Sequence, residues 1–350
     1  MIHSDRLPAL RGGLLALSAA VLFGASTPFV QRFGLGLGAF TTAAMLYAGA
    51  ALMGARLRQP VEQEARLKRR DVWVILGMAA CGAAAAPVAL AWGLQHTSGT
   101  SASLMLTLEA LFTVVLARQL YRETMDARVW MAMALLLAGG IVLVIDQGRA
   151  GDVQLYGLLA VLFATFMWGL DNTLSRAVAD RDPGQVVLAK AMLGALTTAA
   201  LAMLLGEPMP SATAALALLA IGAVGYGLSL RFYLLAQRTF GAARTGSVYA
   251  FAPFIGAALA FALGERSGSW GLLLGSVLMM AGVALHLAET HKHGHEHELL
   301  THEHAHSHDD GHHQHRHDSM PENSHSHAHT HEPVYHAHAH VPDAHHTHDH

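Results

Sequence analysis

The chain has 350 residues, of which 53% are hydrophobic and only 13% are charged, and its formal net charge is -3 at pH 7. Soluble domains carry about 25% charged residues. The composition therefore excludes an ordinary soluble domain, and the single cysteine, Cys81, excludes a disulfide framework.

The charges are unevenly distributed along the chain. Residues 289–350 hold 23 of the 26 histidines and 11 of the 25 acidic residues, but only two basic ones. The preceding 288 residues carry 20 basic and 14 acidic residues, a formal charge of +6. The sequence thus predicts a mildly basic membrane region followed by an acidic, histidine-rich tail.

A helix needs about 20 mostly apolar residues to cross a bilayer. Ten runs of roughly that length follow one another, at 12–32, 38–55, 72–94, 100–119, 129–146, 155–177, 185–205, 212–235, 243–263 and 270–288. The first run follows two arginines and also fits a signal peptide, but nine further runs favour a true span. We predict an all-α membrane protein with ten transmembrane helices.

Lysine and arginine in the short loops predict the orientation of these spans. If the N-terminus is cytoplasmic, the cytoplasmic segments hold 15 of these residues and the outer loops hold three. An even number of spans returns the C-terminus to the same side. Both termini, and with them the histidine tail, are therefore predicted to be cytoplasmic.

The first five spans resemble the next five. GLLALSAAVLFGASTPFVQR (13–32) parallels GLLAVLFATFMWGLDNTLSR (157–176), and LEALFTVVLARQLYRE (108–123) parallels FAPFIGAALAFALGE (251–265). A repeat of five helices inserts its second copy upside down, and inverted repeats are typical of secondary transporters. A membrane scaffold without transport activity is the structural alternative.

The segments MWGLDNTLSRAV (167–178) and GYGLSLRFYLLAQRTFGAARTGSVYAFAPFIGA (225–257) carry a family resemblance. Over residues 10–288 the chain resembles the drug/metabolite transporter superfamily, in its ten-helix branch of two EamA-type domains. The resemblance implies transport of a small molecule across an inner (plasma) membrane. Ala110 stands where the family often has proline, and Phe23 where it often has tryptophan.

The expected domains are 1–148 for the first five-helix repeat, 149–288 for the second and 289–350 for a disordered cytoplasmic tail. Pro28, Pro87 and Pro253 lie within predicted spans, where proline favours a kink.

Four charged residues lie within predicted spans: Glu109, Asp171, Lys190 and Arg231. A charge at the centre of a span costs about 2.5–3.5 kcal/mol on the insertion scale, so these side chains should face a cavity or each other. Asp171 lies near the end of one span and Lys190 near the start of the next, which predicts an ion pair between them. Arg231 lies close enough to the membrane edge for its side chain to snorkel.

Each of these residues has a functional and a structural interpretation. Glu109 is either a carboxyl group that carries protons along the transport path or a structural partner of a neighbouring helix. Asp171 and Lys190 form either a static pair or one that exchanges partners with a charged substrate.

Five further side chains are candidates for lining the substrate site. Ser26, Thr27 and Asn172 occupy corresponding places in the two halves and can hydrogen-bond a ligand, although serine and threonine in membrane helices also bond to neighbouring helices. Trp168 and Tyr226 either wall a cavity or pack as ordinary core residues.

The tail has few apolar residues, and its composition predicts disorder. In an extended chain the histidines of His-X-His lie on one side, and imidazole binds Zn, Ni, Co and Cu ions. The predicted metal ligands are His291, His293, His295, His297, His302, His304, His306, His308, His312, His313, His315, His317, His325, His327, His329, His331, His336, His338 and His340. A pH sensor and an inert low-complexity tract are the alternatives.

Three functions compete at this point. The first is a proton-coupled exporter of a small polar or amphipathic metabolite or drug, with a regulatory metal-binding tail. The second is a Ni, Co or Zn efflux transporter, although the spans lack paired histidines or cysteines. The third is a membrane-anchored metal sensor or buffer.

The sequence contains no phosphate-binding loop and no enzyme motif. Transport is expected to need no cofactor. The expected partners are the lipid bilayer, a small-molecule substrate and divalent transition metals, with no nucleic acid, and a homodimer is left open.

Overall fold

The structure is a computed structural model. It describes residues 6–60, 63–121, 127–240, 242–265 and 268–287, and the backbone of four short segments, 292–296, 300–306, 325–331 and 335–339.

Helices dominate the part of the chain up to residue 287. They are α1 Arg6–Gly34, α2 Ala39–Arg56, α3 Val72–Met78, α4 Ala86–Leu94, α5 Gly99–Met105, α6 Leu108–Tyr121, α7 Ala127–Ala150, α8 Asp152–Ser175, α9 Pro183–Leu204, α10 Ala212–Ile221, α11 Ser229–Phe240, α12 Ala242–Tyr249, α13 Ala252–Ala262 and α14 Trp270–Leu287. Short 3-10 turns at Arg69–Asp71 and Arg176–Val178 extend α3 and α8.

Two wider turns interrupt long helices. A π-helical segment, Ala79–Ala85, joins α3 to α4, and a second, Gly222–Leu228, joins α10 to α11. Pro87 follows the first segment as the second residue of α4, and Pro253 is the second residue of α13. Pro253 is tolerated in the first turn of α13 because its missing N–H would have no helical partner there, whereas Pro87 lies inside the continuous helical segment Arg69–Leu94, directly after its π-helical turn.

Seven continuous helical segments among the described residues are long and apolar enough to cross a membrane. The described chain also contains two shorter apolar helices, Ala252–Ala262 and Trp270–Leu285. The predicted second span coincides with α2, and the predicted ninth is divided into α12 and α13 around a turn at Ala250 and Phe251. The chain is thus a mostly helical, multi-pass protein, and the full count of ten spans stays a prediction.

The helices pack as two groups and two pairs. The first group consists of α3 to α6 around α8, and the second consists of α10 to α13 around α1. The two pairs are α2 with α9 and α7 with α14, which pack along much of their length. These pairs connect the groups, since α2 also packs on Gly222–Leu228 and α9 on Ala79–Ala85.

The two groups approach each other at one face. There α5 packs on α13, and α1 packs on α4 and α5. We call this the outer face, because it holds the end of α1 and the start of α5 and the charge distribution predicts that it points away from the cytoplasm. Toward the other face, the described residues show no comparable contact between α6 and α12. Among the described residues, the groups are therefore in contact at the outer face, and α6 and α12 do not pack on each other opposite it.

In the tail the structure describes the backbone of four short strands, β1 Lys292–Glu296, β2 Leu300–His306, β3 His325–His331 and β4 Tyr335–Ala339. β1 pairs with β4 and β2 with β3, both antiparallel. The alternation of histidine with period two is also the periodicity of a strand. The disorder expected over 289–350 falls mostly on residues outside these segments and stays a prediction.

The close packing of α2 generates a prediction. A methyl group on Gly49 would collide with the backbone at Leu219 and Ala223, whereas one on Gly148 would meet only Leu155 Cδ2 at 3.9 Å. Gly49→Ala should lower the free energy of unfolding by about 1–3 kcal/mol through overpacking. Gly148→Ala should be neutral or stabilise by up to about 1 kcal/mol, because alanine favours a helix.

Thermal unfolding of the purified variants in detergent, followed by tryptophan fluorescence, measures both effects. Equal melting temperatures for the two variants would contradict the close approach of α2 to the start of the Gly222–Leu228 segment.

Candidate functional site

A cavity lies between the two groups. It is lined by residues of α1, α2, α6, α8, α9, α11, α12 and the Gly222–Leu228 segment: Phe23, Tyr47, Ala50, Glu109, Trp168, Asp171, Asn172, Val187, Lys190, Ala191, Gly225, Tyr226, Ser229, Leu230, Tyr233 and Tyr249. Its volume is about 50 Å³. A water molecule needs roughly 10–15 Å³, so the cavity holds a few waters and must widen to accept an organic molecule.

The predicted ion pair is present on one wall of this cavity. Lys190 Nζ donates to Asp171 Oδ2, and each residue is only 3% exposed. The other carboxylate oxygen, Asp171 Oδ1, has no hydrogen-bond partner among the described residues. The site therefore contains a buried charge pair with one acceptor left over.

Glu109 lies in the first turn of α6 and also lines the cavity. Asn172 Nδ2 on α8 donates a hydrogen bond to Glu109 Oε1. Asn172 was expected to contact a substrate, so its link to Glu109 is a finding that the sequence did not predict. Adjacent residues of α8 thus involve both carboxylates of the site. Asp171 is itself paired with a lysine, and Asn172 binds Glu109 of α6 through a neutral amide.

Aromatic rings form much of the remaining wall. Phe23 contacts Trp168 at 5.5 Å between ring centroids, Tyr226 at 5.6 Å and Tyr249 at 5.7 Å. Tyr47 contacts Tyr226 at 5.6 Å. All of these pairs except the tilted pair Phe23–Tyr249 meet edge to face, an arrangement that is favourable beyond the area that it buries. The predicted walls Trp168 and Tyr226 do line the cavity, and Phe23 lies at the centre of the cluster.

The first π-helical segment supplies an anchor for this cluster. Tyr47 Oη and Trp168 Nε1 both donate to the Gly82 carbonyl, the second at 3.0 Å. A wide helical turn leaves backbone carbonyls accessible to side chains, and such turns recur at functional sites. Gly82 also faces the Asp171 carboxylate so closely that a Cβ atom would overlap it.

Two predicted contact residues lie elsewhere. Ser26 and Thr27 are buried, but neither is among the residues that line the described cavity. The Ser26 hydroxyl donates to the Phe23 carbonyl at 2.6 Å, within its own helix. Arg231 Nη1 donates to the Leu57 carbonyl at 2.6 Å at the end of α2, which fits the expectation of a side chain that reaches the membrane edge.

Sequence reasoning missed several cavity residues, among them Tyr47, Tyr233 and Tyr249. No charge marks them, and although Tyr233 and Tyr249 lie in the segment 225–257 that carries the family resemblance, that segment does not show which of its side chains face the cavity. Phe23 carried a weak signal, since it replaces the tryptophan often found in the family that the chain resembles.

The described side chains do not form a metal site. In the helices and turns whose side chains the structure describes, no three His, Cys, Asp or Glu residues meet in a metal-binding arrangement. The predicted histidine ligands, His291 to His340, lie outside the residues whose side chains are described.

Comparison with known proteins gives two kinds of match. The model of the EamA-like transporter family matches residues 10–145 and again 155–288. An uncharacterized transporter of Methanothermobacter thermautotrophicus is 27% identical over 233 residues, covering 63% of this chain and 66% of that protein. The match thus spans just under two thirds of the relative's length.

A solved crystal structure, described only as that of a protein, is similar in fold. The TM-score is 0.58 at 21% sequence identity, covering 78% of this chain and 94% of the other. At this identity the similarity concerns the fold alone.

The buried pair generates a prediction. Lys190→Met leaves the Asp171 carboxylate buried without a counter-charge, and removal of one partner of a buried pair costs about 3–5 kcal/mol. The double variant Asp171→Asn with Lys190→Met should recover much of that loss, because neither charge then remains.

Thermal unfolding of the two single variants and the double variant gives the coupling between the residues. Additive losses in the double variant would show that the two side chains do not depend on each other.

Proposed function

We propose that this chain, which belongs to the EamA-like transporter family, exports a small amphipathic amine in exchange for protons. Membrane transport of a small substrate follows from the family, and the substrate class and the coupling are our proposal. The single observation that carries it is Asp171 Oδ1, a buried acceptor on the wall of an aromatic cavity to which no described residue donates a hydrogen bond.

The charge of the cavity supports a cationic substrate. Glu109, Asp171 and Lys190 are the ionisable acidic and basic residues that line it, and two carboxylates and one ammonium leave a formal charge of -1. A protonated amine would neutralise this charge and donate to Asp171 Oδ1. Buried charges are tolerated when they are paired and hydrogen-bonded.

The aromatic wall supports an apolar body on the same molecule. Trp168, Phe23 and the neighbouring tyrosines present ring faces and edges around the two carboxylates. Aromatic faces attract cations and pack against flat apolar groups. A hydrated inorganic ion would gain little from such a wall.

Lys190 supplies the step that empties and refills the site. In the structure its ammonium group occupies Asp171 Oδ2, as a tethered counter-ion of the kind that the substrate would bring. A substrate amine that donates to Oδ1 would compete with Lys190 for the charge of Asp171, and Lys190 alone would neutralise Asp171 when the site is empty. Glu109, held by Asn172 rather than by a cation, is the carboxyl group that we propose for proton exchange.

The proposed setting is an inner membrane, with ten spans as two inverted repeats and both termini in the cytoplasm. Its supports are the two separate family matches and the excess of basic residues in alternate loops. Export is proposed because the tail would then lie on the side from which substrate is taken.

The tail suggests a second candidate activity, the binding of divalent transition metals. One observation favours it: in both strand pairs histidines lie opposite histidines, for example His293 opposite His338 and His304 opposite His327. Imidazole suits Zn, Ni, Co and Cu ions. We propose that this metal binding regulates or accompanies transport.

Transport is tested with the full chain reconstituted in vesicles that contain a pH-sensitive dye. Amines with an aromatic or aliphatic body, applied one at a time, should move protons in the opposite direction, because amine binding at Asp171 and protonation of Glu109 each neutralise the one negative charge of the cavity. Glu109→Gln should reduce this flux at least about a hundredfold, since an amide cannot carry the proton. Asp152→Asn, at an exposed acid in the first turn of α8, is the matched control and should leave it unchanged.

Two results in the same vesicles would contradict the proposed function. Accumulation of Zn²⁺, Ni²⁺ or Co²⁺ without amine-coupled proton flux would replace our proposal by metal efflux. Amine transport that persists fully in Glu109→Gln would remove Glu109 from the coupling.

The tail is tested by removal. A chain that ends at Glu289 should lose its bound metal and keep amine transport, because the cavity lies wholly within the preceding helices. Bound Zn, Ni, Co and Cu are measured by atomic emission after dialysis. A full-length control with glutamine in place of the tail histidines separates the loss of imidazole from the loss of length, and equal metal content in all three proteins would contradict metal binding by the tail.

A further inference from the structure

We propose that Glu265, together with Gln31, forms the latch that holds the outer face of the transporter closed. The latch consists of these two side chains and the turn between α4 and α5, to which both form hydrogen bonds. The inference depends on the chain being a transporter and not on which substrate or ion it carries.

Glu265 follows the end of α13 and reaches the start of α5. Its Oε1 accepts from the Gly99 amide at 2.7 Å, and its Oε2 accepts from the Thr100 amide at 2.9 Å and the Thr100 hydroxyl at 3.0 Å. The first amides of a helix have no partner within it, and hydrogen bonds to a carboxylate are roughly twice as strong as neutral ones. Gly264, at φ +107°, turns the chain so that the carboxylate reaches this position.

Gln31 holds the same turn from its other side. This α1 residue donates through Nε2 to the Leu94 carbonyl at 2.9 Å and the Thr97 carbonyl at 3.3 Å. Leu94 ends α4, so these are carbonyls of the last turn of a helix and the residues after it. One turn is thus bound at its amides by Glu265 and at its carbonyls by Gln31.

The position of these contacts makes them a latch. Glu265 and Gln31 belong to the second group of helices, α1 with α10 to α13, and the turn belongs to the first group, α3 to α6 with α8. The groups approach each other at this face, as the packing of α5 on α13 shows, and in the described part of the chain α6 and α12 do not pack on each other at the opposite face. Access to the cavity from the outer face requires the groups to part there, which breaks every one of these hydrogen bonds.

The chain contains a matched side chain that does not connect the groups. Glu207, after Gly206 at φ +66°, accepts from the Thr41 amide at 2.7 Å, the Thr41 hydroxyl at 2.8 Å and the Phe40 amide at 3.3 Å. This carboxylate follows α9 and binds the start of α2. These helices form one of the two pairs that pack along their length. Its hydrogen bonds can therefore stay intact when the groups move.

The test compares Glu265→Gln with Glu207→Gln, two identical changes on the same face. A reporter, Ala50→Cys in a Cys81→Ser background, places one thiol on the cavity wall. A membrane-impermeant thiol reagent is applied to each face of the membrane in turn. A separate Leu35→Cys variant, exposed in the turn after α1, identifies the outer face.

Loss of the latch should raise the population that is open outward. We expect labelling of the reporter from the outer face to rise about tenfold in Glu265→Gln, the factor that one lost charge-assisted hydrogen bond supplies. In Glu207→Gln it should change by less than about twofold. Gln31→Leu should raise it in the same direction as Glu265→Gln.

Labelling that is unchanged in a folded Glu265→Gln protein, or that rises equally in Glu207→Gln, overturns the latch and leaves both residues as static helix caps. If Glu265→Gln does not fold, Thr100→Val against Thr41→Val removes the matching hydroxyl from each contact and decides the same question. Because no substrate is used, an altered labelling pattern without amine transport would refute the proposed substrate while keeping the latch.

Discussion

The ion pair between Asp171 and Lys190 is the constraint on which the centre of this structure depends. Two buried charges in an apolar surrounding are tolerated only when they meet each other. Their meeting ties α8 to α9 through one ion pair, and the Asp171 carboxylate lies against Gly82, where a larger residue would not fit. The π-helical turn at Gly82 then offers a carbonyl to Tyr47 and Trp168, which orients the aromatic wall.

The small size of the cavity and the closed outer face describe one state of the protein. Helices α2 with α9 and α7 with α14 pack along their length, so they are suited to stay fixed while the two groups move. The polar contacts of the outer face form a short list of charge-assisted and amide hydrogen bonds around one turn. Such contacts are strong enough to hold a state and few enough to break together, which a large apolar interface would not allow.

Glycine and alanine make this arrangement possible within a membrane. In lipid, helices have no hydrophobic driving force to associate. Close van der Waals packing of their backbones therefore has to stabilise the association. Gly49 lies against Leu219, Gly54 against Leu188, and Gly222 against Leu46. These contacts join α2 to its neighbours in the second half of the chain, and they account for the role of α2 as a fixed element.

The sequence by itself determined the membrane class, the apolar spans, the family and the pairing of Asp171 with Lys190. The class and the spans follow from hydropathy over about 20 residues, the pairing from the cost of an unpaired charge, and the family from the segments 167–178 and 225–257. It also marked Glu109, Asn172, Trp168 and Tyr226 as cavity residues, but it placed Ser26 and Thr27 there as well. The hydroxyl of Ser26 instead bonds within its own helix, because the rotation of a helix about its axis is set by neighbours that the sequence does not name.

Only the tertiary structure decided which distant residues meet. Glu207 and Glu265 follow the same Leu-Gly-Glu pattern, yet one joins a fixed pair of helices and the other joins two separate groups. No local property distinguishes them, since each contact spans more than 160 residues of chain. The contact between Asn172 and Glu109 could not be predicted from the sequence for the same reason. The packing of the whole bundle determines which side chains on different helices come within hydrogen-bonding distance.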